Sequence, residues 1–216
     1  MYNTFLFDLD GTIIDSSPGI TNAYSYAFQK LHIPLEDKTV LHKLIGPSLR
    51  CCFQEFCGFS GDRLEHAVTL YREYYGDTGL FECELYPGIL ELLDTLKRSG
   101  KTVILATAKP EIYAKRILTR LSIDHYFDFI SATSLDVAKN DKAGIINHAL
   151  TAVGITDSTA RSTAVMVGDR EFDILGAQQV GLDSIGVLYG FGSPAELSSA
   201  GATHIVKHAQ EIQAFI

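Results

Sequence analysis

Two pairs of aspartates, each placed where a hydrophobic run gives way to a turn, are the residues of this chain best suited to chemistry. The first is Asp8 and Asp10, in Phe7-Asp8-Leu9-Asp10-Gly11-Thr12. Residues two apart in an extended chain point the same way, so both carboxylates can project from one strand exit. Like charges held there repel unless a cation lies between or beside them, and an oxygen set that leaves room for water suits Mg²⁺. Gly11 lets the backbone turn sharply and brings N–H groups close to an anion. An exposed acidic turn is the plainer alternative. The second pair is Asp169 and Asp173, in Val165-Met166-Val167-Gly168-Asp169-Arg170-Glu171-Phe172-Asp173. Asp173, four residues on, falls on the same face of a first helical turn, though that position also suits a carboxylate that merely complements the helix dipole.

Between the acidic pairs lie Ala106-Thr107-Ala108-Lys109-Pro110 and Asp141-Lys142. A hydroxyl such as that of Thr107, at a strand exit before a helix N-terminus, can bond a phosphoryl oxygen. Lys142 can neutralise both the aspartates and a bound phosphate. Neither signal is specific alone, because a lysine is usually a surface charge on an apolar stem.

Strands and helices must alternate to hold these residues. Short runs rich in Val, Ile and Phe stand at 4–9, 102–107, 127–132, 164–167, 184–188 and 204–206. Helical spacing follows, as in Ile89-Leu90-Leu92-Leu93-Leu96, Ile112-Ile117-Leu118-Leu121 and Ile145-Ile146-Ala149-Leu150. Pro87 and Pro110 mark helix starts, and Gly100 and Gly181 mark helix ends. The alternation predicts an α/β fold, a parallel Rossmann-like sheet with helices on both faces. From 15 to 83 no strand-like run occurs, and patterns such as Ala23-Tyr24-Ala27-Phe28-Leu31 and Leu64-Ala67-Val68-Tyr71 predict three or four helices punctuated by Pro34, Gly46-Pro47 and Gly58. The expected organisation is therefore a discontinuous core, 1–14 and 84–216, interrupted after its first strand by a small helical cap, 15–83. Open parallel sheets bind ligands at the carboxyl ends of their strands, where this insert emerges.

Composition bounds the partners. With 18 Lys and Arg against 26 Asp and Glu, the chain carries a formal charge of −8. That balance gives no footprint for a nucleic-acid polymer or an anionic membrane surface. It also argues against an anionic substrate, unless a local cation supplies the answer. No apolar run approaches the ~18 residues of a membrane span, and the N-terminus lacks a basic, then apolar, leader pattern. A cytoplasmic enzyme is expected. Cys51, Cys52, Cys57 and Cys83 show no CxxC spacing and read as packed thiols in helices. His204 and His208, although four apart, flank a strand end and read as no metal site.

The ordered set Asp8-x-Asp10-Gly11-Thr12, Thr107, Lys142 and Gly168-Asp169-x-x-x-Asp173 resembles the four motifs of the haloacid dehalogenase superfamily of phosphohydrolases, over nearly the whole chain. The insert matches the small cap of that superfamily. The stretches 105–110, 168–177 and 185–192 look like its phosphoglycolate phosphatase-like and 5′-nucleotidase-like branch. Arg170 stands where many phosphoglycolate phosphatases have a small residue, which leans toward the nucleotidase-like relatives. For the lysine motif, Lys142 before Ala143-Gly144-Ile145-Ile146 fits better than Lys139.

The resemblance implies a phosphoric monoester hydrolase. Asp8 would attack phosphorus and become an aspartyl-phosphate. Asp10 would act as acid toward the leaving oxygen and then as base toward water, which requires it to be protonated at the first step. Mg²⁺ would sit on Asp8, the backbone carbonyl of Asp10 and Asp169, with Asp173 as a direct or indirect ligand. Gly11, Thr107, the Ala108 N–H and Lys142 would hold the phosphate. The cap would choose the leaving group. Lys109, at the strand exit after Thr107, and Arg50 are candidate substrate contacts, and Arg50 is better read as a surface charge. Tyr71, Tyr74 and Tyr75 could stack on a base, although their spacing favours helix packing. The implied function is that of a phosphoglycolate phosphatase-like enzyme, with a 5′-nucleotidase acting on nucleoside monophosphates as the alternative; the partner is a small phosphate ester, bound by a monomer or homodimer. A signalling module that accepts one phosphoryl group, a mutase of the same superfamily and an idle interaction protein are the other readings.

Overall fold

The structure, a computed structural model, describes residues 1–35, 37–135 and 141–216. Its chain forms two compact units, one of Met1–Asp15 with Leu85–Ile216 and one of Ser16–Glu84. In order, the elements are β1 (Thr4–Phe7), β2 (Ile14–Asp15), α1 (Ser17–Lys30), α2 (Leu49–Cys57), α3 (Gly61–Asp77), β3 (Glu84–Leu85), α4 (Ile89–Arg98), β4 (Thr102–Pro110), α5 (Glu111–Arg120) and β5 (Phe129–Thr133). They continue with α6 (Lys142–Ala152), α7 (Ser158–Arg161), β6 (Ala164–Gly168), α8 (Glu171–Gln179), β7 (Asp183–Val187), α9 (Pro194–Ser199) and β8 (His204–Val206).

Six strands form one parallel sheet in the order β5-β4-β1-β6-β7-β8. All four residues of β1 are buried, which requires cover on both faces and explains why the strand reads as a continuous apolar run. Leu6, Ile104, Ala106 and Met166 form one face and pack on Ile145, Ile146, Ala149 and Leu150 of α6 and Ala177 of α8. By alternation Phe5 and Phe7 face the other side, where α4 and α5 lie on β4. From β1 the chain proceeds to β4 and β5 on one flank, then crosses to β6, β7 and β8 on the other. β1 and β6 thus bracket the switch point at which parallel sheets hold ligands.

Several boundaries differ from the periodicity. β1 stops at Phe7, so Asp8 opens the turn. β4 continues to Pro110 with a register slip between Thr107 and Pro110. β5 begins late because 124–126 is a 3₁₀ turn and Asp128 is spent on the Val103 N–H and Lys97. Pro87 does not open α4; Gly88, at φ 85°, caps it instead. Two-residue strands β2 and β3 pair where the chain leaves and re-enters the sheet unit, too short to show any period.

The helical unit contains α1 to α3 and 3₁₀ turns at Lys38–Leu44 and Gly79–Phe81. Its centre is aromatic: Tyr24 lies 4.8 Å from Tyr71 and 5.4 Å from Phe53, ring centre to ring centre. Tyr71 and Tyr75 are buried in that packing, and the Tyr74 hydroxyl donates to Glu82 at 3.0 Å. All four cysteines are free thiols; Cys83 lies outside any helix, against the sequence reading. Among the described residues no helix is long and apolar enough to cross a membrane.

Candidate active site

The carboxyl ends of β1, β4 and β6 and the N-terminus of α6 bring their polar side chains together within the sheet unit. Lys142 is the first residue of α6 and is almost wholly buried. Its Nζ lies 2.7 Å from Asp173 Oδ1 and 2.9 Å from Asp8 Oδ1. Burial alone would lower the affinity of this amine for its proton, but the charges of Asp173 and Asp8 outweigh that and raise it. Asp141 caps the helix by accepting the Gly144 N–H, which fixes where Lys142 begins.

Asp169 is fully buried and held from two sides. Its Oδ1 accepts the Thr12 hydroxyl at 3.2 Å and its Oδ2 accepts the Phe191 N–H at 2.8 Å. Burial, then the charges of Asp173 and Asp8, push its carboxyl well above the usual range. Asp173 accepts the Arg170 N–H through Oδ2, so it does serve its helix N-terminus while its other oxygen meets Lys142. Burial raises it to about 6, against the opposing pull of Lys142.

Oxygens of Asp8, Asp169 and Asp173 lie within 4.8 Å of one another, and among the described residues they alone form such a cluster. Three carboxylates face one ammonium. Asp8 Oδ1 is buried with no aligned hydrogen-bond donor; Lys142 meets it as an ion pair. A hard divalent cation fits this all-oxygen set and would relieve the excess negative charge. The Asp10 carboxylate is not in the cluster; of the metal ligands the resemblance implies, only its backbone carbonyl could come from Asp10.

Asp10 instead faces β4. Lys109 Nζ lies 2.8 Å from each of its carboxylate oxygens. The Thr107 hydroxyl oxygen accepts the Lys109 N–H at 3.2 Å, which leaves its own proton to donate. The Ala108 carbonyl accepts from Thr133. Lys109 therefore sits on Asp10 in this structure, where the sequence reading had it among substrate contacts. Arg50 belongs to the helical unit and forms a two-bond pair with Glu65, at 3.0 and 2.8 Å. Lys139 lies outside the described residues.

One supporting loop escaped sequence reasoning. After β7, Tyr189-Gly190-Phe191-Gly192 wraps Asp169: the Tyr189 hydroxyl donates to the Thr12 carbonyl at 3.0 Å, and Phe191 supplies the N–H noted above. A Cβ on Gly190 would lie 2.2 Å from the Gly11 carbonyl and 2.4 Å from Asp169 Cβ. Gly11, at φ 82°, likewise has Asp169 Oδ2 where its Cβ would be, at 2.2 Å. Beyond the loop, Glu196 of α9 accepts from the Arg170 side chain and the Glu171 N–H, clamping the start of α8. The glycines carry no dinucleotide or Walker spacing; only the likeness of 185–192 to one enzyme branch hinted at them.

The model of the haloacid dehalogenase-like hydrolases matches residues 5–187. A 5′-nucleotidase of Pseudomonas aeruginosa is 40% identical over 94% of this chain and 90% of its own. The tyrosine-protein kinase PtkA of Mycobacterium tuberculosis is 32% identical over 96% and 69%, and a phosphoglycolate phosphatase of Colwellia psychrerythraea is 27% identical over 91% and 88%. The crystal structure of a predicted phosphatase from Clostridium acetobutylicum superposes with a TM-score of 0.91 at 41% identity, covering 99% of this chain and 97% of the other.

Proposed function

Because this chain belongs to the haloacid dehalogenase-like hydrolases and is a phosphatase of that family, we propose that it hydrolyses a small phosphate monoester through a phosphoryl group carried on Asp8. The observation that carries this reading is the position of Asp8, at a strand exit against Lys142 and within a cluster of three carboxylates. A carboxylate is ionised at neutral pH and needs no base to activate it. Asp8 attacks phosphorus, and the bond to the leaving oxygen breaks as Asp10 gives that oxygen a proton. Asp10 then takes a proton from water, whose oxygen attacks the phosphorus, and the bond to Asp8 breaks to release phosphate. Such proton transfer contributes ~10²–10⁴-fold. Lys142 and the Thr107 hydroxyl hold the transferring oxygens. Asp8, Asp169 and Asp173, with the Asp10 carbonyl, would hold Mg²⁺, which when bound offsets the repulsion between nucleophile and phosphate.

For the substrate, the 5′-nucleotidase reading has the better support, from the 40% relative and from Arg170, and phosphoglycolate is the competing choice. A panel of nucleoside 5′-monophosphates, phosphoglycolate, sugar phosphates and a tyrosine-phosphorylated peptide, assayed for released phosphate with Mg²⁺, tests this. A nucleotide preference of about a hundredfold, near 2.7 kcal/mol of transition-state discrimination, is expected. A larger rate on phosphoglycolate would reverse the choice. Stoichiometric phosphorylation without multiple turnover would overturn the hydrolase reading itself and favour a phosphoacceptor module.

A further inference from the structure

Lys109 is a buried charge that the mechanism above does not use. Its side chain is 5% exposed and its ammonium meets both oxygens of Asp10 at 2.8 Å. An amine placed so far from water persists only beside a partner, and its partner is the residue that must reach the leaving oxygen. Thr107 and Lys109, two apart in β4, are tied through the Thr107 hydroxyl and the Lys109 N–H. The register of β4 against β5 slips between Thr107 and Pro110, the stretch that carries Lys109.

We propose that Lys109 is the positioning residue for Asp10, setting the plane of its carboxylate for proton delivery to the leaving group; this rests on the acid role proposed for Asp10. A carboxylate's last torsion is broad and has no strong preference of its own, so its aim must be imposed from outside. The ammonium, bonded to both oxygens, imposes it. Of about four lone-pair directions on the carboxyl group, two face Lys109, so the proton that Asp10 gives to the leaving oxygen must lie along one of the others. The sequence reading of Lys109 as a substrate contact predicts a different set of losses.

The test compares wild type, Lys109→Met, Asp10→Asn and the double variant on two substrates, an alkyl phosphate and an aryl phosphate whose phenol leaves without protonation. Lys109→Met is expected to lose ~10²-fold in kcat on the alkyl ester and less than tenfold on the aryl ester, the signature of impaired acid catalysis, with KM nearly unchanged. The double variant should be no slower than Asp10→Asn, because the two residues act as one unit. Rate ratios between two esters on one preparation do not depend on the folded fraction, and Lys109→Gln serves if the Met variant does not fold. Equal losses on both esters, expressed in KM and additive with Asp10→Asn, would overturn the proposal in favour of substrate contact. If Asp10→Asn itself shows no leaving-group dependence, the acid role fails and the proposal falls with it.

Discussion

The strand-end site and the helical unit treat charge in opposite ways. At the strand ends, Asp169, Asp173, Lys109 and Lys142 are all buried; Lys142 meets Asp8 and Asp173, Lys109 meets Asp10, and Asp169 accepts the Phe191 N–H. In the helical unit the interior is a cluster of Tyr and Phe rings in edge-on and tilted contact, and an ion pair such as Arg50–Glu65 stays partly exposed. Buried like charges cost stability and are retained where chemistry needs them. An aromatic core with charges outside is the ordinary solution for folding alone. The contrast is the one the proposed function calls for: buried charge where phosphoryl transfer is proposed, and an ordinary aromatic core in the helical unit.

Four substitutions and conditions probe that contrast, in descending order of effect. Asp8→Asn removes the proposed nucleophile and should lower turnover by more than ~10⁴-fold, on the scale of nucleophile loss in covalent catalysis. A thermal melt that stays cooperative would show that the loss is chemical. Lys142→Met strips from Asp8 and Asp173 the ammonium that pairs with both and should destabilise the metal-free protein by roughly 3–5 kcal/mol, as breaking a buried pair does. Urea unfolding measures it, and Mg²⁺ should return part of the loss.

Next comes pH. Without metal, the folded state holds Asp173 near 6 and Asp169 well above its ordinary value, whereas unfolded carboxylates ionise near ~3.9. The folded state therefore binds more protons across that interval, and metal-free stability should fall as pH rises from about 4 through 6. A metal competes with those protons. The rise in melting temperature on adding Mg²⁺ should be larger at pH 7.5 than at pH 6 and shrink further as pH falls below about 6; a rise independent of pH would contradict the carboxylate cluster as the metal site. The smallest effect is Arg50→Ala. A partly exposed pair contributes little, so kcat/KM on an ester with no second anionic group should change by less than about twofold. A much larger loss would move part of the chemistry into the helical unit.

How legible each region was follows from the same contrast. The alternation of β-branched runs and helical spacing reveals the sheet and its order of elements, because parallel strands buried on both faces leave continuous apolar words. Asp8, Asp169 and Asp173 stood out because ionisable residues directly after such words have few purely structural reasons to be there. Lys109 was visible as a residue of the site, but its partner was not, since nothing in a linear spacing tells that an amine after β4 folds back onto Asp10. The Phe191 N–H was invisible in principle, being a backbone group without a residue type, and Gly190 reveals itself only through its distance to Gly11 and Asp169. In the helical unit Tyr71 and Tyr75 could be read as packing or stacking until the ring contacts decided for packing.

Everything rests on the fate of the phosphoryl group. Acid quenching of the enzyme in steady-state turnover with Mg²⁺, followed by peptide mapping at low pH, asks where that group resides between the two half-reactions. A phosphoryl group on Asp8, appearing and decaying fast enough to account for turnover, is the expected result. Sustained phosphate release with no label on Asp8, or with the label on another residue, would contradict it.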